Sequence, residues 1–480
     1  MKKLALLILL LSPVFLFPQT NDPAIPQLEQ GIPQWMQAAG IPGVSIAVVR
    51  HGKTEWLHSF GMADVASGRP VTQQTIFNVG SLSKVVFSYA VLRLVDQGKL
   101  DLDTPLTRYL PKPYIDNEPR LEKITARIVL SHRTGFPNWR PDKDGPLVIH
   151  FTPGERFSYS GEGMVYLQAA IEAITHKQME DVMREEVFQY LGMKHSSYIW
   201  HEEWAPVVAT GYESGGAPYP IFHAKFAGVA GSLITTPQDY ALFLEAILGG
   251  KGLKPGTLRE METPQIAIDP SCFICTDHAP GRLSDKLFWG LGWAIEKNSS
   301  GTYLWHYGDN GVFKAYVSVD LKRRDAVVYF ANSRDGLAIA PAITQTALGG
   351  EHTSFSWVKY DTYDSPAMRF MQYSLHHSVA ETLQVFAASL EDGSITEGSM
   401  NAYGYRLLSV KDFDGAITAF QRNIALHPQS SNCYDSLGEA YMDAGNKPLA
   451  IANYEKAVQL DAHADNARQM LNKLGQTSSH

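Results

Sequence analysis

Cysteine is scarce in this sequence, with three among 480 residues: Cys272, Cys275 and Cys433. Three thiols cannot build a disulfide framework, and Cys272-x-x-Cys275 has only Asp277 and His278 nearby, too few ligands for a zinc site. That pair is expected to be a small disulfide loop or two inert thiols. Basic residues are also short, 41 against 49 acidic, and the net charge of −8 argues against nucleic acid, which would favour a basic face. After Phe17 no stretch reaches the length and apolarity of a membrane-spanning helix. A Gly-x-Ser-x-Gly elbow is missing too, which disfavours a Ser-His-Asp triad. No metal and no cofactor is expected.

The chain opens on Met1-Lys2-Lys3 and an apolar run, Leu4 to Phe17, broken only by Ser12 and Pro13. These are the charged and apolar regions of a secretory signal, so residues 1–19 are read as a signal peptide. The protein is then expected to be periplasmic or secreted, with membrane anchoring by an uncleaved signal as the alternative. No cysteine follows the run to carry a lipid.

At 480 residues and 45% hydrophobic content, the chain has material for at least two folded units. Ile25 to Ala39 reads as a helix. Gly43 to Arg50 and Thr54 to Gly61 read as strands joined at His51-Gly52-Lys53. Three further strands are expected at Thr302–Tyr307, Val312–Val319 and Ala326–Ala331, then a helix over Leu337–Leu348. With a mainly helical middle, strands at both ends imply an α+β domain whose antiparallel sheet gathers distant parts of the chain.

Past about residue 355 only helical patterns remain. Gly404 and Gly438 are 34 residues apart, as are Ala416 and Ala450, Phe420 and Tyr454, and Leu426 and Leu460. That period, with small residues at helix crossings, resembles the tetratricopeptide repeat. The expected division is the α+β domain over 22–349, a helical linker or degenerate repeat over 350–395, and repeats over 396–475. Such repeats could hold a protein or peptide partner.

A Ser-x-x-Lys motif occurs twice, at Ser81–Lys84 and Ser356–Lys359. Only the first opens an apolar run, Val85 to Val95, that reads as a buried helix ending before Gly98. On a helix, residues i and i+3 share a face, so the Lys84 ammonium can reach the Ser81 hydroxyl. Burial would lower the lysine pKa and make it a base. Ser356 lies in a linker without such a helix and is set aside.

With Ser81 and Lys84 on its first motif, the segment from about 30 to 345 resembles the β-lactamase-related serine hydrolases. This family contains class C β-lactamases, D-alanyl-D-alanine peptidases and related esterases. Phe151 to Ser160 resembles the segment that delivers its catalytic Tyr159, and His306-Tyr307-Gly308 resembles its third motif. Leu130 to Pro137, Ala230 to Leu233 and Gly290 to Trp293 match further landmarks in order. The resemblance implies an antiparallel sheet flanked by helices with an all-helical lobe. It also implies an acyl-enzyme on Ser81, with Lys84 and Tyr159 as the base system. Backbone N–H groups of Ser81 and Asp309 would form the oxyanion hole beside Gly308. His306 would line the pocket and help bind a substrate carboxylate or the tyrosine, while His132 would brace a turn.

The second motif usually reads Tyr-x-Asn, and here it is Tyr159-Ser160-Gly161. The resemblance implies cleavage of an ester, amide or lactam bond in a small or peptidic substrate; together with histidine where most β-lactamases have lysine, the missing asparagine tilts this towards an esterase or amidase of broader specificity. A D-amino-acid peptidase on cell-wall fragments is one alternative. A non-catalytic, penicillin-binding-like receptor with a repeat-based partner site is another.

Overall fold

A computed structural model describes residues 22–140, 145–277 and 281–476. The segment read as a signal peptide lies outside the described residues. Among them, no helix is long and apolar enough to cross a membrane.

Nine strands form one antiparallel sheet. In chain order they are β1 (Gly43–Arg50), β2 (Lys53–Asp64), β3 (Arg69–Pro70), β4 (Ile266–Ala267), β5 (Leu287–Trp289), β6 (Ala294–Asn298), β7 (Gly301–Asp309), β8 (Lys314–Asp320) and β9 (Asp325–Ala331). Their spatial order is β3-β2-β1-β9-β8-β7-β6-β5-β4. Val44 faces Ala331 and Val49 faces Ala326, so the first strand is zipped to the last. The sheet therefore closes only after most of the hydrolase sequence has been made.

Side chains of a strand alternate between faces, and here both faces are covered. Ala326, Val328 and Phe330 of β9 join the core under helix α2 (Leu82–Asp96). Val327, Tyr329 and Ala331 join the opposite core, against α1 (Ala24–Ala39) and α5 (Ala340–Leu348). The α2 core also takes in α3 (Gly161–Thr175) and α4 (Pro237–Gly249). α2 is buried nearly all round, from Leu82 through Leu92, which is why its sequence shows no polar stripe.

The C-terminal region is all helical: α6 (Glu397–Ser409), α7 (Phe413–Leu426), α8 (Ser431–Asp443), α9 (Lys447–Leu460) and α10 (Asp465–Gln476). α6, α8 and α10 start 34 residues apart in turn, as do α7 and α9. Gly404 lets the ring of Phe420 pack against α6, and Gly438 does the same for Tyr454 against α8. Three shorter helices, Pro366–Ser374, Val379–Val385 and Ala387–Glu391, precede them. Phe370 and Leu390 share one core with Met400, Tyr403 and Phe420. The 350–395 stretch is thus shared: Trp357 and Met368 join a core of the sheet domain, and Phe370 and Leu390 join that of the helices.

Candidate active site

The site begins at a turn. Phe77–Asn78 pairs with Ile234–Thr235, and the chain then reverses through Gly80, at φ +52°, into α2. Asn78 Oδ1 fastens the turn by accepting from the Gly80 N–H and from Asn310 Nδ2, each at 2.9 Å. A Cβ on Gly80 would stand 2.8 Å from the Asp309 backbone nitrogen. One on Gly308 would strike the Val79 carbonyl. Glycine at both positions lets the end of β7 touch the turn backbone to backbone. That contact brings the Asp309 backbone nitrogen up to Gly80, the residue before Ser81.

Ser81 is partly exposed at the start of α2, and Lys84 lies one turn on, fully buried. Lys84 Nζ donates to Ser81 Oγ at 3.0 Å and to the Ala230 carbonyl at 2.6 Å. With no carboxylate to balance its charge, burial pulls the lysine down to about 7. The Ala230 landmark is held against α2 by the Leu233 N–H, which donates to Ser83 Oγ at 3.0 Å. Gly292 touches Ser88 on the same helix.

Burial raises the Tyr159 phenol well above its ordinary value, and the nearby Ser81 hydroxyl offsets this only in part. Lys84 Nζ sits 5.0 Å from the centre of its ring. Aromatic groups cage that ring: Phe273 stacks at 4.5 Å, His132 lies at 4.3 Å and Trp289 at 5.7 Å. His132 Nδ1 accepts the Ser160 N–H at 3.1 Å, which leaves the ring proton on Nε2.

His306 lies deeper than the pocket wall expected of it. It is 1% exposed, 6.1 Å from the Tyr159 ring and 5.5 Å from Trp289. Nδ1 is 2.7 Å from the Tyr307 carbonyl, which can only accept, so Nδ1 carries the proton and Nε2 is a bare acceptor. Burial and the nearby Lys84 pull its pKa down to about 3. A neutral, buried ring brings no charge of its own to the site. His306 can support Tyr159 only as a neutral neighbour.

Gly161 explains itself sterically. A Cβ there would meet the Trp139 ring at 2.8 Å and the Asn138 carbonyl at 3.0 Å. Asn138 Oδ1 accepts the Gly161 N–H, and its backbone carbonyl accepts the Glu162 N–H, both at 2.9 Å. Where the motif's asparagine would project, an indole 53% exposed to solvent stands instead, 5.6 Å from Lys84 Nζ. Trp139 carried no motif and escaped the sequence reading. So did Phe273 and Lys314, whose ammonium pairs with the Asp309 carboxylate.

Cys272 and Cys275 form a disulfide, and Cys433 is free and buried. Ser356 lies exposed on a one-turn helix, Ser354–Val358, so that segment is more ordered than a linker. Its hydroxyl is tied to the Thr353 carbonyl. Among the described residues, no three His, Cys, Asp or Glu side chains cluster as metal ligands. A cavity of about 800 Å³ between Met179, Phe188 and Trp204 contains none of these site residues. One of about 330 Å³ adjoins the Ser81 turn at Asn78, Tyr219, Phe222 and Asn310.

Sheet, buried lysine and serine turn together suit the chemistry of a serine hydrolase. The Beta-lactamase family model matches residues 28–348, and the chain belongs to that family. A beta-lactamase of Yersinia enterocolitica is 26% identical over 287 residues, 58% of this chain and 69% of the relative. Esterase EstB of Burkholderia gladioli is 27% identical over 291 residues, 49% of this chain and 72% of the relative. The octameric penicillin-binding protein homologue from Pyrococcus abyssi shares the fold, with a TM-score of 0.56 at 22% identity. That match covers 72% of this chain and 80% of the other.

Proposed function

We propose that the protein is an esterase forming an acyl-enzyme on Ser81, with Lys84 as the base and Tyr159 as the proton donor to the leaving group. The observation that carries this reading is the buried Lys84 amine, 3.0 Å from Ser81 Oγ with its pKa near 7. At neutral pH much of that amine is free base. Tyr159 is by contrast held as a phenol.

Lys84 takes the proton from Ser81 Oγ as the oxygen attacks the carbonyl carbon. The resulting oxyanion is held by the N–H groups of Ser81 and Asp309. As the tetrahedral species collapses, Tyr159 gives its proton to the departing alkoxide and recovers one from the Lys84 ammonium. Water then repeats the sequence on the acyl group and frees Ser81.

Esters are favoured over penicillins and D-alanyl peptides because Trp139 occupies the place of an amide-binding side chain. The indole offers an apolar face and no carbonyl acceptor. The likeness to Esterase EstB agrees with this choice. Residues 1–19 are proposed to export the protein.

The test is incubation with a fluorophosphonate and, separately, with a fluorescent penicillin, followed by mass spectrometry of the labelled peptide. The expected result is phosphonate on Ser81, faint or no penicillin label, and turnover of p-nitrophenyl esters above that of D-alanyl peptides. Equal labelling of Ser81→Ala would reject the nucleophile, and fast penicillin or D-alanyl turnover would reject the substrate class.

A further inference from the structure

The family match ends at residue 348, and the chain that follows runs directly past the site. Trp357, on the short helix Ser354–Val358, is buried. Its indole N–H donates to the Cys272 carbonyl at 3.4 Å, and its ring lies 5.2 Å from Phe273. Phe273 is the residue stacked on Tyr159, and its carbonyl accepts the Tyr159 N–H at 3.0 Å. The Cys272–Cys275 loop is tied to the same segment twice more. The Cys275 N–H donates to Ser158 Oγ at 2.9 Å, and Arg156 donates to the Cys275 and Thr276 carbonyls. One side of this loop therefore holds Tyr159, and the other rests on Trp357.

Three residues further on, the Tyr360 hydroxyl donates to the Asp309 carboxylate, which also pairs with Lys314. The Tyr360 ring meets Tyr307 edge-on at 5.9 Å. Tyr363 then anchors the chain to the hydrolase core, its N–H donating to the Ala338 carbonyl at 3.0 Å and its ring 6.0 Å from Trp35. The helices of the C-terminal region begin immediately after, at Pro366.

We propose that residues 353–363 are a positioning strap that fixes the active site from outside the family domain: Trp357 steadies Tyr159 through Phe273, and Tyr360 steadies the Asp309 N–H through its carboxylate. Neither residue touches substrate, so both are positioning residues. The strap grips both sides of the nucleophile, the proton donor on one and the oxyanion strand on the other. It is also the covalent path to the helical region, anchored to the hydrolase at Tyr363 before those helices begin. The proposal rests on the hydrolase reading of Ser81, Tyr159 and Asp309.

The test uses the full chain carrying Trp357→Leu, Tyr360→Phe, both together, or Ser356→Ala as a control on the exposed face of the same helix. Ser81 labelling by a fluorophosphonate, kcat and KM on a p-nitrophenyl ester, and Tm are measured for each. Small misplacements of reacting groups cost rate rather than binding, so kcat should fall about tenfold for Trp357→Leu and about threefold for Tyr360→Phe. KM should stay within about twofold and Ser356→Ala should match the parent, since neither strap residue contacts substrate. Parental kcat in folded Trp357→Leu and Tyr360→Phe overturns the strap. Should Trp357→Leu fold poorly, Tyr360→Phe, which removes one oxygen, decides alone. A parent protein that never reacts at Ser81 overturns the hydrolase reading and the strap with it, a result seen before any variant is compared.

Discussion

Lys84 decides the chemistry at the scale of the residue, because a buried amine must either find a counter-charge or give up its proton. Its neighbours are a serine hydroxyl and a carbonyl, neither of which supplies the charge. Its folded pKa of about 7 lies below the ordinary 10.5, so the folded state prefers the neutral amine. Two consequences have opposite origins and the same direction. Activity needs the free base, so kcat/KM for a neutral ester should rise through pH about 7 and level off above it. Stability should rise too between pH 7 and 10.5, where the unfolded chain binds the extra proton. A pH–rate profile flat from 5 to 9 would remove Lys84 as the base. Lys84→Met should lower kcat/KM by about a thousandfold, as loss of a proton-transfer partner does.

Trp139 sets the second residue-scale expectation. An indole half exposed beside a nucleophile is an apolar platform for the substrate's acyl or alcohol part. Trp139→Ala should raise KM for naphthyl and long-chain esters about tenfold while leaving KM for acetate esters near that of the parent, about 1–1.5 kcal/mol for one lost aromatic contact. Equal change for both ester classes would mean that Trp139 serves the fold. In Trp139→Ala the space beside Gly161 is also open, so adding Gly161→Asn there should fold better than Gly161→Asn alone. Melting curves of the two proteins compare them directly.

At the scale of elements, what could be read from sequence followed the range of the interaction. Ser81 and Lys84 are three apart on one helix, so spacing was enough to join them. The apolar run Val85–Val95 distinguished them from Ser356, whose helix is a single turn with its serine facing solvent. Strands β1, β7, β8 and β9 were legible because apolar residues dominate them, and β2 because it follows β1 through the Gly52 turn. The short strands β3, β4 and β5 were not, since two or three residues carry no period. Nor could Trp139, Phe273 or Trp357 be placed at the site, because each reaches it through contacts made only after the sheet closes. Gly308 shows how one such contact constrains an element. Any side chain there meets the Val79 backbone, which cannot rotate away. Gly308→Ala should therefore part β7 from the nucleophile turn and lower kcat about a hundredfold, the scale of a lost oxyanion donor. Gly256→Ala, at a position where a Cβ meets nothing within 4 Å, should leave kcat unchanged. Equal kcat in the two variants would show that the contact is not needed for catalysis.

At the scale of the whole molecule, the chain holds separate cores that meet at a narrow seam. The hydrolase cores lie on the two faces of the sheet, and those of the helical region run from Phe370 to Ala440 and from Ala450 to Leu474. The seam runs along the first of the C-terminal helices, Pro366–Ser374, and its end: Met368 joins a hydrolase core, Gln372 packs on Gly40, and Leu375 lies beside Gly215. Damage within the helical cores should therefore stay there. Gly404 and Gly438 are the points to strike, because the rings of Phe420 and Tyr454 fill the space a side chain would need. Overpacking at such a site costs about 1–3 kcal/mol, enough to separate one unit's melting from the other's. Calorimetry of Gly438→Leu should show an earlier transition for the helical region and an unmoved one for the hydrolase. Ser81 should still react with the fluorophosphonate at the parental rate at 25 °C, because the strap ends at Tyr363, ahead of the helices that melt. A single transition shifted as a whole, with labelling lost alongside it, would mean that the two regions fold as one unit and that the helical array supports catalysis by stability rather than by the strap.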